Sequence, residues 1–362
     1  MELNIEIHLS AYSRINEVNF NDLGFGRYFT DHLLIATYKE KAWQTAKIIP
    51  FQDLSIHPAL SALHYGQSIF EGMKAFKYTD GSAVLFRPEK NWQRINTSAR
   101  RLCMPEIPED LFIEGLKLFV DIERNWIPSG QGEALYLRPL LFATDSFLGV
   151  RPSEEYLFLV IASPVGKYYS QPIRVLAQKQ YVRAVRGGVG AAKTAGNYAA
   201  SLLAVQEAKK KGYDQILWLD AIQLSFVEES STMNLFFVID DAIYTAPASP
   251  DGTILMGVTR DSAITLLKKW GYEVYEKPLN IQDIIQAYHK GTFQEAFGTG
   301  TAASITPLAA IGFDDQEIMP IANTGYGPIS QRLYETLTGI QRGTIADELN
   351  WLVRVPEYIP FT

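Results

Sequence analysis

The chain has 362 residues, of which 47% are hydrophobic and 20% charged, a balance typical of globular proteins. Its 33 basic and 40 acidic residues give a net charge of −7, which argues against a nucleic-acid partner, because phosphate binding needs a concentrated positive field. The single cysteine, Cys103, excludes an internal disulfide and is expected to be a small buried residue.

The first half of the chain mixes short strands with helices. Strands are predicted at 82–88, 133–145 and 156–165, which are rich in aromatic and aliphatic residues. Helices are predicted at 90–102 and 109–126. The second helix is predicted because these apolar residues follow mostly helical spacing: Leu111, Phe112, Leu116, Phe119, Val120 and Trp126.

Glycine, proline and polar residues cluster at 166–172, which favours a linker between two domains. We therefore predict a small domain at 1–165, a linker at 166–174 and a large domain at 175–362. A chain of this length is expected to form about two domains.

The second half contains the same kinds of element without strict alternation, so the predicted class is α+β. A helix at about 197–211 ends at Gly212, as helices often end at glycine. The remaining elements are strands at 215–220 and 236–240 and helices at 260–270, 281–291 and 330–343.

The amino terminus lacks the basic and apolar regions of a signal peptide, and no apolar run reaches the ~20 residues that span a bilayer. A soluble, cytoplasmic protein is therefore expected, with no membrane partner. The five histidines show no metal-ligand spacing, so no metal site is expected.

Lys193 stands among small residues in a glycine-rich stretch, and three interpretations compete. Residues 187–194 almost match a phosphate loop of nucleotide-binding proteins, but Ala192 occupies a position that needs glycine. Residues 298–303 match a dinucleotide pattern, but Pro307 follows and no long helix begins there. In the third interpretation Lys193 is a Schiff-base nucleophile, as in aldolases and pyridoxal-phosphate enzymes.

A pyridoxal-phosphate site also needs a ring-nitrogen acid, a partner for the ring oxygen and a phosphate cradle. Glu229 and Tyr198 are candidates for the first two. The cradle has candidates at 257–259, where free N–H groups at the start of a helix favour an anion, and at 298–302. Arg94 could add a charged fork.

Together these pieces resemble the branched-chain amino-acid aminotransferases, a family of fold-type IV pyridoxal-phosphate enzymes, in the longer form that eukaryotes and many bacteria share. The resemblance rests on "KTAGNY", "HYGQSIFEGMKAF", "LYLRPLLFATDSFLGV", "EESSTMNLF", "GVTRDS" and "GTGTAASITP", which occur in the expected order. It implies a small N-terminal α/β domain, a larger C-terminal domain with a barrel-like sheet, and pyridoxal 5′-phosphate (PLP) between the domains.

The resemblance also implies residue roles. Lys193 would carry the cofactor covalently and shuttle the proton, Tyr198 would bond the ring oxygen, and Glu229 would pair with the ring nitrogen. Arg94, Val258, Thr259 and Thr301 would hold the phosphate, and Thr232 and Ala302 would help to place substrate or cofactor. Arg138 would receive the second carboxylate of glutamate. The substrate pocket would be walled by Phe25, Tyr65, Phe70, Tyr136 and Tyr168.

Leu148 and Val150 would reach into the pocket of a partner subunit, so the resemblance implies a homodimer. The implied reaction is a ping-pong transamination between leucine, isoleucine or valine and 2-oxoglutarate. The alternatives are a D-amino-acid aminotransferase or an aminodeoxychorismate lyase on the same fold, and more distantly a phosphate-loop-like nucleotide-binding protein. Ala195 replaces a glycine of the lysine motif, a change that should be tolerated unless the backbone there has positive φ.

Overall fold

A computed structural model describes residues 4–314 and 316–358 of the protein. Its strands are β1 (Ile5–Ile7), β2 (His32–Lys39), β3 (Ala42–Trp43), β4 (Ala46–Pro50), β5 (Ser68–Phe70), β6 (Met73–Lys77), β7 (Ala83–Phe86), β8 (Ala134–Ala143), β9 (Tyr156–Val165), β10 (Ile173–Gln178), β11 (Gln215–Leu219), β12 (Phe226–Ser230), β13 (Asn234–Ile239), β14 (Ala242–Thr245), β15 (Val274–Glu276), β16 (Leu279–Asn280), β17 (Phe293–Gly300), β18 (Ser304–Phe313), β19 (Gln316–Ile318) and β20 (Leu352–Val355). Its helices are α1 (Ser61–Tyr65), α2 (Pro88–Arg101), α3 (Glu109–Ile122), α4 (Ala195–Ala199), α5 (Leu202–Lys210), α6 (Val258–Lys269), α7 (Ile281–Lys290) and α8 (Pro328–Arg342).

The chain forms two compact units. The first contains the described parts of Met1–Tyr168 and Thr338–Thr362, together with Lys193–Ala195; the second contains Tyr169–Ala192 and Gly196–Leu337. The sequence places the end of the chain in the large domain. In the structure 338–358 belongs to the first unit, because β20 pairs with β7 along its whole length.

The first unit is built on a ten-stranded sheet. Its strands follow the order β1-β4-β2-β9-β8-β6-β7-β20, with β3 paired to β2 and β5 paired to β8. Within this sheet only β1 and β4 run parallel among the described pairs, and the other paired strands are antiparallel. Helices α2 and α3 pack against each other, and α3 also contacts β2 and β20.

The apolar stripe predicted for α3 is confirmed. Leu111, Phe112, Leu116, Phe119 and Val120 are all buried in the core of the first unit. The helix is shorter than predicted, because it ends at Ile122 and the chain continues as a 3-10 turn at Arg124–Trp126.

The second unit contains a closed six-stranded barrel. Its strands follow the order β13-β17-β18-β10-β11-β12, and β12 pairs again with β13 to close the ring. Strand β10 runs parallel to β11 and β18, and the other barrel neighbours are antiparallel. The predicted α+β class with a barrel-like sheet is therefore confirmed.

The helix predicted at 197–211 is interrupted. It forms two pieces, α4 and α5, because the N–H and the hydroxyl of Ser201 both donate to the Tyr198 carbonyl. The second piece packs against β10 and β11, which it connects.

The glycine-rich segments do not form nucleotide-binding motifs. Residues 298–303 span the end of β17 and its tight turn into antiparallel β18, so they do not open a helix. Residues 187–194 lead only into the five-residue helix α4.

The expectation for Cys103 is wrong. Its side chain is exposed, and its backbone has φ 55°, because it lies in the turn that follows α2. Of the helices in the described ranges, none is long and apolar enough to cross a membrane.

Candidate active site

Lys193 is held firmly through its backbone. Its N–H donates to the Ser98 hydroxyl of α2 at 2.9 Å, and its carbonyl accepts the N–H of Phe70 at 3.0 Å. The neighbouring Thr194 donates its hydroxyl to the Ser68 carbonyl at 2.8 Å and forms a β-bridge with Ile69. The lysine is half-buried, and its Nζ lies 4.7 Å from the centre of the Phe70 ring. Its backbone position is therefore determined by β5 and α2.

The alanine of the lysine motif is tolerated in the way the sequence suggested. Ala195 is the first residue of α4, and it is not among the residues of the described chain that have positive φ. The following glycine, Gly196, has open space where a side chain would stand. The extra methyl group at 195 therefore causes no backbone strain.

A buried ion pair lies beside Lys193. Glu71 is fully buried, and its two carboxylate oxygens accept from Nε and Nη2 of Arg94, both at 2.7 Å. Asn91 donates to the same carboxylate at 2.8 Å. Burial alone would raise the pKa of Glu71, but the Arg94 guanidinium, the charge of Lys193 and the Asn91 hydrogen bond outweigh burial and hold this pKa below its usual range.

Five of the predicted pocket residues of the first unit form a continuous chain of contacts. The Arg138 guanidinium lies 4.7 Å from the Phe70 ring centre and donates to the Tyr136 hydroxyl at 3.0 Å. Phe25 contacts the Tyr136 ring edge-on at 4.9 Å and the Tyr168 ring edge-on at 5.0 Å. Phe70 also contacts Lys193, so these aromatic residues form a single cluster that both cations, Arg138 and Lys193, contact.

Three other pocket candidates are outside this cluster in the single chain. Tyr65 is 45% exposed, and its ring neighbour is His64. Leu148 is 63% exposed and Val150 is 87% exposed. Their predicted roles stay predictions.

In the second unit, Glu229 has three donors around its carboxylate. Arg183 Nε lies 2.6 Å from Oε1, while Asn234 Nδ2 and the Leu255 N–H each donate to Oε2 at 3.0 Å. Both Glu229 and Arg183 have 6% of their side-chain surface exposed. The arrangement stabilises a carboxylate, because every one of these partners donates.

The candidate phosphate cradle has the predicted backbone form. Helix α6 begins at Val258, so Thr259 lies in its first turn, and no side chain of the described residues caps its N-terminus. Gly257 precedes the helix, and a methyl group there would lie 2.1 Å from the Asn234 amide oxygen. The N–H groups of the first turn are therefore available to an anion.

The second candidate for the phosphate cradle is the turn between β17 and β18 of the barrel. Thr301 and Ala302 form the β17–β18 turn, and Asn234 pairs with Thr299 between β13 and β17. A methyl group on Gly300 would approach the Thr232 carbonyl at 2.9 Å, so Thr232 lies against this turn. Tyr198 is in α4 and is half-buried.

Sequence reasoning missed Glu71, Arg183 and Asn234. Glu71 stands inside the quoted motif "HYGQSIFEGMKAF" and Asn234 inside "EESSTMNLF", so their sequence neighbourhood was a signal. Arg183 had no such signal, because its partners Glu229, Gly190 and Thr253 are separated from it by up to 70 residues.

Comparisons with known proteins agree on one family. Residues 68–311, more than half of the chain, match the family model of class IV aminotransferases. A probable branched-chain-amino-acid aminotransferase of Staphylococcus epidermidis is 50% identical over 342 residues, which cover 93% of this chain and 94% of that protein. Branched-chain-amino-acid aminotransferase 2 of Bacillus subtilis is 48% identical over 339 residues, covering 92% and 93%.

A solved structure supports the same conclusion. The branched-chain amino acid aminotransferase from Escherichia coli superposes with a TM-score of 0.71 at 29% identity, and the match covers 90% of this chain and 99% of that chain. The chain belongs to the class IV aminotransferases and, among them, to the branched-chain amino-acid aminotransferases.

Proposed function

We propose that the protein transfers the amino group of L-leucine, L-isoleucine or L-valine to 2-oxoglutarate, giving the branched 2-oxo acid and L-glutamate by a ping-pong mechanism. The observation that carries the proposal is the position of Lys193, which is fixed by β5 and α2 and stands against Phe70 at the end of an aromatic cluster. The D-amino-acid aminotransferase, lyase and nucleotide-binding alternatives have no comparable support.

The residues fit PLP as a cofactor. A flat ring with a phosphate requires a lysine, an acid for its nitrogen and a cradle of free N–H groups, and the chain supplies Lys193, an acceptor-only Glu229 and the uncapped start of α6. Gly257 and Gly300 leave no room for a side chain beside these groups. When bound, PLP supplies an electron sink that makes the Cα proton of an amino acid acidic.

Each residue of the chain would then have a defined task. Lys193 would bind the cofactor and move the proton between the substrate Cα and the cofactor's C4′ atom. Glu229 would hold a proton on the ring nitrogen, and Tyr198 would orient the ring through its oxygen. The phosphate is held by the residues at 258–259, by Thr301 and by Arg94, which also keeps its pairing with Glu71. Thr232 and the Ala302 N–H help to orient the substrate.

The proposed pocket must accept both aliphatic and acidic side chains. Phe25, Phe70, Tyr136 and Tyr168 offer apolar surface for the branched side chains, together with Tyr65. Arg138 is half-buried at the edge of the same cluster and can receive the second carboxylate of glutamate. An apolar wall discriminates by only about 1–3 kcal/mol per methylene, so the three branched substrates should overlap.

We further propose a homodimer in the cytoplasm. In the single chain Leu148 and Val150 expose most of their apolar surface, as expected of residues that a second subunit covers. The chain has a single cysteine and no internal disulfide, as is usual in reducing compartments.

The test is the visible absorption spectrum of the PLP-loaded protein. An absorption band that decreases on addition of L-leucine and returns with 2-oxoglutarate is the expected result. A band that responds to D-amino acids but not to L-leucine would refute the substrate class, and a protein that binds no PLP would refute the reaction.

A further inference from the structure

Arg183 is a buried arginine that none of the proposed cofactor or substrate contacts includes. It lies between β10 and Lys193 in the chain, in a segment with no helix or strand. Its side chain is 6% exposed, and its Nε lies 2.6 Å from Glu229 Oε1. Burying an arginine is costly unless its charge is paired and its N–H groups are satisfied, and Glu229 supplies the paired charge here.

The other N–H groups of Arg183 bind backbone. Nη1 donates to the Thr253 carbonyl at 2.5 Å and to the Gly190 carbonyl at 3.2 Å, and Nη2 donates to Gly190 at 3.1 Å. Gly190 is packed so closely that a methyl group on it would lie 2.6 Å from the Thr253 carbonyl oxygen. Arg183 therefore joins three segments: strand β12, the loop that precedes Lys193, and the turn that precedes α6.

A second glutamate shows how selective this pairing is. Glu228 adjoins Glu229 on β12, and successive residues of a strand point to opposite faces. Glu228 is also buried, but it accepts from the Thr253 hydroxyl and has an Oε2 atom without a hydrogen-bond partner among the described residues. Burial raises the pKa of Glu228 to about 7, although the charge of Arg183 acts in the opposite direction. Of the two neighbouring carboxyls, only Glu229 has the guanidinium directly against it.

The hydrogen bonds around Glu229 explain what this contact does. A carboxylic acid has to direct its own proton at an acceptor, yet Arg183, Asn234 and Leu255 all present donors. Removing the guanidinium would take away the charged donor among these three and leave the neutral Asn234 amide and Leu255 N–H. A neutral Glu229 would no longer hold the proton on the ring nitrogen.

We propose that Arg183 is a positioning residue that keeps Glu229 ionised and aimed at the ring nitrogen of bound PLP. The proposal rests on the proposed function. Arg183 acts through Glu229 and touches neither cofactor nor substrate, so its loss should lower kcat more than it raises the KM for L-leucine. Residues that hydrogen-bond to a functional group and orient it typically contribute about 10–100-fold to activity, so a loss of this size is expected in kcat.

A double-mutant cycle tests whether Arg183 acts through Glu229. Arg183→Met, Glu229→Gln and the double variant are compared in the PLP-loaded protein with L-leucine and 2-oxoglutarate. If Arg183 works through Glu229, the double variant should be within about threefold of Glu229→Gln alone, because coupled residues are non-additive. Losses that multiply would overturn the proposal.

Arg174→Met is the surface control in the same unit. Arg174 also pairs with a glutamate, Glu317, and donates to a backbone carbonyl, that of Gly212, but its side chain is 44% exposed, against 6% for Arg183. It should keep kcat within about twofold of the unchanged protein. A loss as large as that of Arg183→Met would assign the effect to general destabilisation and overturn the proposal.

Two further readouts do not depend on turnover. The dissociation constant of PLP, titrated into the stripped protein, should rise about tenfold or more in Arg183→Met. Arg183→Lys should recover part of this affinity and part of the visible band of bound PLP, because lysine restores the charge but not the fork. If Arg183→Lys binds PLP no more tightly than Arg183→Met, the proposal is overturned.

The failure of the proposal can be told apart from the failure of the proposed function. A wild-type protein that neither binds PLP nor transfers amino groups would contradict the function itself. An active wild-type protein whose Arg183→Met variant keeps kcat and PLP affinity within twofold would contradict only the role of Arg183. If circular dichroism shows that Arg183→Met does not fold, the same cycle is run with Arg183→Lys, and multiplying losses again refute the role.

Discussion

Replacing Glu71 by glutamine should destabilise the first unit strongly. Glutamine keeps the size of the side chain but removes its charge, and the amide nitrogen would face the Arg94 guanidinium. Arg94 is 8% exposed and would lose the carboxylate that accepts from its Nε and Nη2. Lys193, whose charge also acts on Glu71, would lose the same neighbour.

The magnitude follows from the geometry of the pair. Glu71 makes two contacts of 2.7 Å with Arg94 and has no solvent exposure, so water cannot replace the lost charge. Breaking a buried ion pair by removing one partner costs about 3–5 kcal/mol. Because glutamine can still accept one hydrogen bond from Arg94, the expected loss in the free energy of unfolding is about 3 kcal/mol.

The assay is urea unfolding at pH 7, with Glu106→Gln as the control. Glu106 pairs with Arg100 at 2.6 Å in the same unit, but both side chains are more than half exposed, so this change should hardly shift the midpoint. Equal midpoints for Glu71→Gln and the unchanged protein would refute the argument.

The stability difference between Glu71→Gln and the unchanged protein should also depend on pH in a defined direction. The pKa of Glu71 is lowered in the folded protein, so its stabilising effect is complete above the unfolded pKa near 4.5 and is lost as the pH falls through the folded value. The difference in stability between the two proteins should therefore shrink in acid. A difference that grew as the pH fell would contradict the assigned direction.

Two other substitutions give independent tests. Gly72→Ala places a methyl group 2.1 Å from the Tyr136 hydroxyl oxygen, so the tyrosine must move away from Arg138, and kcat/KM for L-leucine should fall about tenfold or more. Gly166→Ala is the control, because a methyl group there has open space and should leave kcat/KM unchanged. Equal kcat/KM values for the two variants would contradict the close contact between Gly72 and Tyr136. A second test uses Glu228, whose pKa burial raises to about 7. Between about pH 4.5 and pH 7 the folded protein retains a proton on this carboxyl that the unfolded chain loses. The free energy of unfolding should therefore fall as the pH rises from about 4.5 to 7. Glu228→Gln escapes this loss, so its melting temperature relative to the unchanged protein should rise between pH 5 and pH 8, and a constant difference would contradict the raised pKa.

Local elements were largely predictable from the sequence because their signals are local. The spacing of apolar residues located α3, and the aromatic and aliphatic runs located β8 and β9. The start of α6 followed from the glycine and threonine around Val258. The break between α4 and α5 was missed, because the bonds of Ser201 to Tyr198 leave no trace in hydrophobic periodicity.

Long-range features were not accessible in this way. The pairing of β20 with β7 joins residues more than 260 positions apart, so the return of the chain to the first unit could not be derived from composition. In the candidate site, single motifs were enough to select Lys193 and Glu229 as candidates, and their roles stay predictions. The Glu71–Arg94 and Arg183–Glu229 pairs were not predictable, because a sequence shows charged residues but not which of them become buried partners.

The most direct test of the central claim is to identify the lysine that carries the cofactor. The PLP-loaded protein is reduced with borohydride, digested, and the modified peptide is identified by mass spectrometry. The account predicts a pyridoxyl group on Lys193. Burial lowers the pKa of Lys74 to about 8, which makes Lys74 the competing nucleophile in the first unit. A pyridoxyl group on Lys74, or on no lysine, would contradict the account.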